Sequence, residues 1–319
     1  MREPGLGEIV SRELGPRQGH EVLVRAHYSG ISRGTESLVF RGEVPVSQYA
    51  TMRAPFQEGD FPGPVKYGYA SVGEVLQGPA GLQGRTVFCL HPHQDLYHVP
   101  AAAVVPLPDG VPPARAVLAA NVETALNAVW DAEPVSAEQV VVIGAGVVGL
   151  LTAWLLQEQT NMAVTAFDVD SRRAPVAEAL GVPFTTDSPE GRYAGLVVHA
   201  SGSEQGLRTA LATAGIEATI LELSWYGDRN VSLPLGEAFH SRRLTLRSSQ
   251  VGRIPPHRAE SWDHRRRLEA AVRLLEDDRL DALISGESAF DELPETMRRL
   301  SQEASGALCH RIRYLNELP

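Results

Sequence analysis

Cysteine is scarce in this chain of 319 residues: Cys89 and Cys309 are the only two. Two cysteines make no disulfide framework, and they exclude a cysteine-rich zinc lobe. A reduced, cytoplasmic protein is the expectation. Basic charge is also short, with 29 Lys and Arg against 39 Asp and Glu and a formal net charge of −10. A nucleic-acid footprint needs a basic face, so nucleic acid is not expected as a partner. No apolar run reaches membrane-spanning length without polar interruption, so no membrane partner is expected. The N-terminus carries Arg2 and Glu3 in place of an apolar signal core. Repeats and low-complexity segments are missing as well. What remains is a soluble globular composition, 43% hydrophobic and 21% charged, with chain for roughly two domains.

The chain is organised around residues 139–156, QVVVIGAGVVGLLTAWLL. A β-branched run over 140–143, closed by glycine, suits a strand buried on both faces. Gly144, Gly146 and Gly149 then fit G-x-G-x-x-G, and the apolar stretch after them is too long for a strand and predicts a buried helix. Strand, tight turn and helix form the context in which this motif binds a dinucleotide. The first glycine permits the turn, the second admits a pyrophosphate, and the third lets helix and strand pack closely. The helix start, with Val147 and Val148, offers unpaired N–H groups to the phosphates.

A second strand, Ala163–Phe167, is predicted to end at Asp168, about 20 residues past the glycines, where a carboxylate accepts hydrogen bonds from ribose hydroxyls. Asp168 repels a 2′-phosphate, so NAD(H) is favoured, with Val169 beside it. Arg172 and Arg173 leave NADP(H) open: either they hold a 2′-phosphate or they are a solvated helix start. Further strands are expected at 196–199, 218–223 and 244–247, alternating with helices in the manner of a doubly wound parallel sheet. The turns at 200–202 and 224–227 fall at the carboxyl edge of that sheet, where ligands bind. This makes Ser201, Leu223 and Ser224 cofactor contacts.

Residues before about 118 read as β-rich. Strands are expected at 21–27, 68–76 and 85–90, with a long irregular stretch at 40–67. A helix is expected over 113–132. The end of the chain predicts an amphipathic helix over 262–275, a short helix over 293–300 and a strand over 309–314. Arg265, Arg266 and Arg267 on the first of these read as a solvated helix face or, alternatively, as a run that binds an anion or anionic surface. His91 and His93 form an H-x-H whose two rings share a face if the segment is a strand. His93 is the candidate for a substrate contact or proton relay.

The motifs Gly30-Ile31-Ser32-Arg33-Gly34-Thr35-Glu36 and Gly68-Tyr69-Ala70-Ser71-Val72-Gly73-Glu74-Val75, with the glycine turn, resemble the medium-chain dehydrogenase/reductase family. The first is similar to the bacteriochlorophyllide-type dehydrogenase branch. The resemblance spans nearly the whole chain. It implies an α/β protein with a GroES-like β-barrel catalytic domain, residues 1–120 and 250–319, and a Rossmann domain, residues 121–249. It also implies a cofactor cleft between the domains and a homodimer paired through the last Rossmann strand. Zinc members place cysteine at Ser32 and His-Glu at Tyr69-Ala70; only the third ligand position, Glu123, keeps a carboxylate. Hydroxyls are poor zinc ligands, so no metal is expected.

The resemblance therefore implies hydride transfer between NAD(H) and an alcohol or carbonyl group of a small molecule, without zinc. Tyr69 is the candidate proton donor, with Lys66 lowering its pKa, or else it fills the space that zinc leaves. Glu123 is a second acid/base, an anchor for Tyr69 or a helix-start carboxylate. Asn127 matches a position that meets the nicotinamide. Ser32 and Thr35 are substrate contacts or local turn bonds. Two other readings stay open: a zinc-lacking quinone- or enoyl-type reductase of activated double bonds, and a non-catalytic dinucleotide-binding protein.

Overall fold

A computed structural model describes residues 1–132, 139–302 and 306–314. The chain divides into two compact units, Met1–Ala120 with Leu268–Pro319, and Asn121–Arg267.

The first unit opens with β1 (Glu21–Ile31), where inward Val22, Val24 and Ala26 alternate with outward residues. Period two with one buried face is what makes this segment a strand. It runs four residues beyond the expected 27. Helix α1 (Arg33–Arg41) follows, ending at Gly42 in the left-handed conformation. The irregular stretch carries a short ribbon, β2 (Glu58–Gly59) with β3 (Val65–Lys66). Then come β4 (Ser71–Gln77), β5 (Thr86–Cys89), β6 (Leu96–Pro100) and β7 (Val104–Pro106). The expected helix over 113–132 is two, α2 (Pro113–Ala116) and α3 (Ala119–Asp131), broken at Val117 and Leu118. The two units divide just inside α3.

The second unit is built from β8 (Gln139–Ile143), α4 (Val147–Gln159), β9 (Ala163–Phe167), α5 (Ala174–Ala179) and β10 (Phe184–Thr185). It continues with β11 (Ala194–His199), α6 (Glu204–Thr213), β12 (Ala214–Glu222) and β13 (Thr245–Ser248). All six strands are parallel, in the order β10-β9-β8-β11-β12-β13. That order reverses between β8 and β11, the switch point of a doubly wound dinucleotide fold. Val141, Ile143, Val197 and Ile220 of the sheet pack with Leu207, Ala210 and Leu211 of α6 in its core. Helix α4 is buried over Gly149–Leu156, as a helix apolar on all sides must be.

The chain then forms α7 (His264–Leu274), β14 (Ile284–Ala289), α8 (Leu293–Leu300) and β15 (Cys309–Arg313). Strands β14 and β15 return to the first unit, whose seven-stranded sheet runs β14-β15-β1-β4-β5-β7, with β6 also paired to β1. Residues 250–267, expected with the first domain, cluster with the second. The reason is visible in their contacts: Trp262 packs on Trp130 at 4.8 Å, and the buried Arg267 reaches into α3. No helix among the described residues is long and apolar enough to cross a membrane.

Candidate functional site

The glycine turn has the geometry its sequence implies. Gly144 has φ +101°, and a Cβ there would lie 2.5 Å from the Ser201 backbone nitrogen. A Cβ on Gly149 would overlap the Gly144 carbonyl oxygen, so close packing needs glycine. Gly146 caps α4, and a Cβ on it would meet nothing within 4 Å. Open space thus stands at the helix N-terminus, where Val147 and Val148 are half-buried. Asp168 closes the turn: its Oδ2 accepts from Ala145 N at 2.8 Å and its Oδ1 from Asp170 N at 2.9 Å. Each carboxylate oxygen keeps a lone pair for a ribose hydroxyl. Val169 beside it is 86% exposed, which is unusual for a valine. Arg172 and Arg173 are both engaged by Asp170, at 2.7 and 3.5 Å.

At the carboxyl ends of β11 and β12 lies an arrangement that sequence reasoning missed. His199 and Glu222 are register partners. The His199 Nδ1 lies 2.8 Å from Glu222, and its Nε2 lies 2.6 Å from the Ser201 Oγ. Glu222 also accepts from Ser224 N at 2.7 Å and from the Tyr226 hydroxyl at 3.1 Å. Burial, then Glu222, raises the Tyr226 pKa. Leu223 donates its N–H to the His199 carbonyl at 2.9 Å. Ser201 and Ser224 were expected at this edge from the turns; the imidazole and carboxylate behind them are separated by 23 residues in sequence.

In the first unit, Ser32 is the N-cap of α1, and Glu36 is the hub. Glu36 is buried, an anion favoured by the helix N-terminus. It accepts from Ser32 N at 2.8 Å and pairs with His93 Nε2 at 2.9 Å. His93 Nδ1 lies 2.7 Å from the Ser29 Oγ, which lies 2.9 Å from the Tyr314 hydroxyl. Gly68 makes room for this ring: at φ +123°, a Cβ would lie 2.8 Å from the His93 Cδ2. Tyr69 is half-buried, and its phenol is hydrogen-bonded to the side chains of Ser32 and Thr35. Burial first, and the Glu36 charge second, push its pKa up.

Four expectations are corrected. Lys66 does not lower the Tyr69 pKa; its ammonium is held by Glu58 and by Gln94 Oε1. The H-x-H is not one site. His91 stacks on Tyr97 at 3.7 Å and bonds the Pro92 carbonyl, and burial lowers its pKa to about 3. Asn127 is fully buried with its amide consumed, the oxygen by Arg267 and the nitrogen by Asp131 at 2.8 Å. The arginine run is not wholly a solvated face, because Arg267 is 1% exposed.

Glu123 also turns to Arg267, whose Nε donates to it at 3.0 Å. Burial raises the Glu123 pKa and Arg267 opposes that shift. This carboxylate therefore anchors residues 250–267 to α3. A signal for Arg267 was available, since buried Ala271 and Leu275 lie four and eight residues on. Among the described residues, no three His, Cys, Asp or Glu gather to hold a metal ion.

A switch-point parallel sheet, with an open glycine turn and a carboxylate at Asp168 closing it, defines a fold of the dinucleotide-binding kind. No family model matches the chain. It is 28% identical over 196 residues to L-galactonate-5-dehydrogenase of Escherichia coli K12, across 54% of this chain and 56% of that one. It is 25% identical over 219 residues to galactitol 1-phosphate 5-dehydrogenase of the same organism, across 63% and 61%. The chain thus spans little more than half the length of the curated relatives it matches. A short chain alcohol dehydrogenase of E. coli CFT073, solved with NADH, superimposes with a TM-score of 0.73 at 17% identity, covering 98% of this chain and 97% of that one. Other solved chains of this fold carry NADP or NADPH. The sequence likenesses, each over part of the chain, are to dehydrogenases, and the solved chains share its fold.

Proposed function

We propose that the chain is a nicotinamide-dependent oxidoreductase that exchanges a hydride between NAD(H) and an alcohol or carbonyl group of a small molecule, without zinc. The observation that carries this reading is the open glycine turn at Gly146, with Asp168 set to receive a ribose. The dehydrogenase relatives and the dinucleotide-bound neighbours support it. NAD(H) is favoured because Asp168 repels a 2′-phosphate and Asp170 occupies both nearby arginines.

The donor set does not fit zinc. Ser32, Tyr69 and Ala70 stand where zinc members carry thiolate, imidazole and carboxylate, and Glu123 is committed to Arg267. Proton chemistry then falls to the hydroxyl cluster. Tyr69, a phenol held by Ser32 and Thr35, is protonated at working pH and donates a hydrogen bond to a carbonyl oxygen. Ser32 and Thr35 orient it. This donor favours carbonyl reduction over reduction of an activated alkene. Pairing of two copies through β13 is part of the proposal, since its four residues are exposed and its outer edge pairs with no described strand.

Fluorescence titration should show tighter binding of NADH than of NADPH, and an absorbance scan across alcohols and ketones should find turnover. Metal analysis should find well under one zinc per chain; stoichiometric zinc with chelator-sensitive activity would overturn that part. Tyr69→Phe keeps the ring, so NADH affinity should hold while turnover falls roughly 100-fold, in kcat and kcat/KM together. Unchanged turnover would show that Tyr69 is only a filler.

A further inference from the structure

Ser201 is exposed at the end of β11, against the first glycine of the phosphate-binding turn. Behind it lies a built chain of polar groups. His199 has no exposed surface, and Glu222 beneath it is 12% exposed at its side chain. Every neighbour of Glu222 other than the imidazole is a donor: Ser224 N–H and the Tyr226 hydroxyl. An ionised carboxylate so placed holds the imidazole in one tautomer, with Nδ1–H donating to it. Helix α6 leaves room for the ring at Gly206, where a Cβ would lie 2.7 Å from Nε2 and 2.1 Å from the Ser201 Oγ. The other charged groups at hand are Arg229 and the α6 pair Glu204 and Arg208. Arg229 lies 5.8 Å over the Tyr226 ring and donates to the Gly202 carbonyl at 3.1 Å. Glu204 and Arg208 pair with each other at 3.0 Å.

The direction of the Ser201 hydroxyl follows from the proton count on the imidazole. The Ser201 Oγ already accepts from Ser203 N at 3.3 Å and lies 2.9 Å from the Ser203 Oγ, where either hydroxyl can donate, so an added Nε2–H donor fills its remaining lone pair. With a neutral imidazole, Ser201 donates inward to Nε2 and has no proton for a ligand. With an imidazolium, Nε2–H donates to the Ser201 Oγ, and the serine proton turns outward. In a doubly wound sheet the second mononucleotide half lies over the strands past the switch point, here β11 and β12.

We propose that Glu222 and His199 are positioning residues that make Ser201 a proton-dependent hydrogen-bond donor to the nicotinamide half of the bound dinucleotide. The group it meets is a neutral oxygen acceptor, either the ring carboxamide or the adjoining ribose hydroxyl. This rests on the dinucleotide-binding reading above and adds to it a proton taken up with the cofactor.

The test is binding of NADH, ADP-ribose and ADP to the full chain by fluorescence and calorimetry between pH 6 and 9. NADH should bind up to roughly tenfold more tightly at the acid end, the worth of one net hydrogen bond. ADP, which reaches only the glycine turn and Asp168, should show only the pH dependence of its own terminal phosphate, without the gain at the acid end. ADP-ribose shares the slope if the acceptor is the ribose, and is flat if it is the carboxamide. Ser201→Ala, at an exposed position, and His199→Gln should both flatten the NADH slope at the weaker value while leaving ADP unchanged. The same NADH slope in both variants, or an equal slope for ADP, would overturn the proposal. Failure of ADP and NADH alike to bind would overturn the dinucleotide reading itself, and this proposal with it.

Discussion

Each unit of this chain buries an imidazole between a carboxylate and a hydroxyl, and the two chains end differently. In the first unit, Glu36, His93 and Ser29 lead to Tyr314, a phenol packed in the core and raised in pKa by burial. In the second, Glu222 and His199 lead to Ser201, which is exposed. Both carboxylates are held by more than the imidazole, and a glycine clears space for each ring, Gly68 in one and Gly206 in the other. A chain that closes inward satisfies buried groups and fixes the shape of the α1 start beside Tyr69. A chain that ends at the surface hands its hydrogen-bonding state to whatever binds there. The chemistry is shared, and solvent access to the last hydroxyl divides scaffold from site.

The largest expected effect separates the two by the carboxylate each would strand. His93→Ala leaves the buried Glu36 with the Ser32 N–H as its described donor, and should cost roughly 3–5 kcal/mol. His199→Ala leaves Glu222 with Tyr226 and Ser224, and should cost less, about 1–3 kcal/mol. Denaturation midpoints of the two variants check the order, and equal losses would erase the distinction.

His91 sharpens the comparison, because it is a buried imidazole with no carboxylate. Burial lowers its pKa from 6.5 to about 3, so the unfolded chain binds the extra proton between those values. The stability that His91 contributes is present above pH 6.5 and is lost as pH falls toward 3, on the order of 2 kcal/mol by pH 5. His91→Phe keeps the stack on Tyr97 and should flatten that part of the stability–pH curve. An unchanged curve would place the acid sensitivity elsewhere.

The smallest effect lies in the glycines. Gly68→Ala meets both a φ of +123° and the His93 ring and backbone, and should cost roughly 1–3 kcal/mol. Gly206→Ala sits in a helix, where propensity offsets about 1 kcal/mol, but its Cβ displaces the Ser201 hydroxyl and crowds the buried His199 ring, so the net loss should be about 1 kcal/mol. Its readout is the NADH slope with pH, which should move more than the melting temperature does.

Much of the second unit was legible because its signals are local. Strand β9 has the bounds expected of it, and β8 differs from expectation by one residue. Strands β6, β7 and β14 lie outside the expected elements, since strands this short carry too few residues for a hydrophobic period to stand out in the sequence. The break at Val117 and Leu118 divides the expected helix over 113–132, and no proline or glycine marks it in the sequence.

By itself the sequence determined the fold class, the glycine turn and the carboxylate at Asp168 that closes it, because each depends on residues close in the chain. Glycine φ, strand period and helix start are local properties. Tertiary structure alone decided the partners of the buried charges. Glu36 meets His93 across 57 residues, His199 meets Glu222 across 23, and Glu123 meets Arg267 across 144. These pairings also took Asn127 and Lys66 away from the roles expected of them. Hydrogen bonding between charged groups is set by distance in space and by exclusion of water, and sequence spacing carries neither.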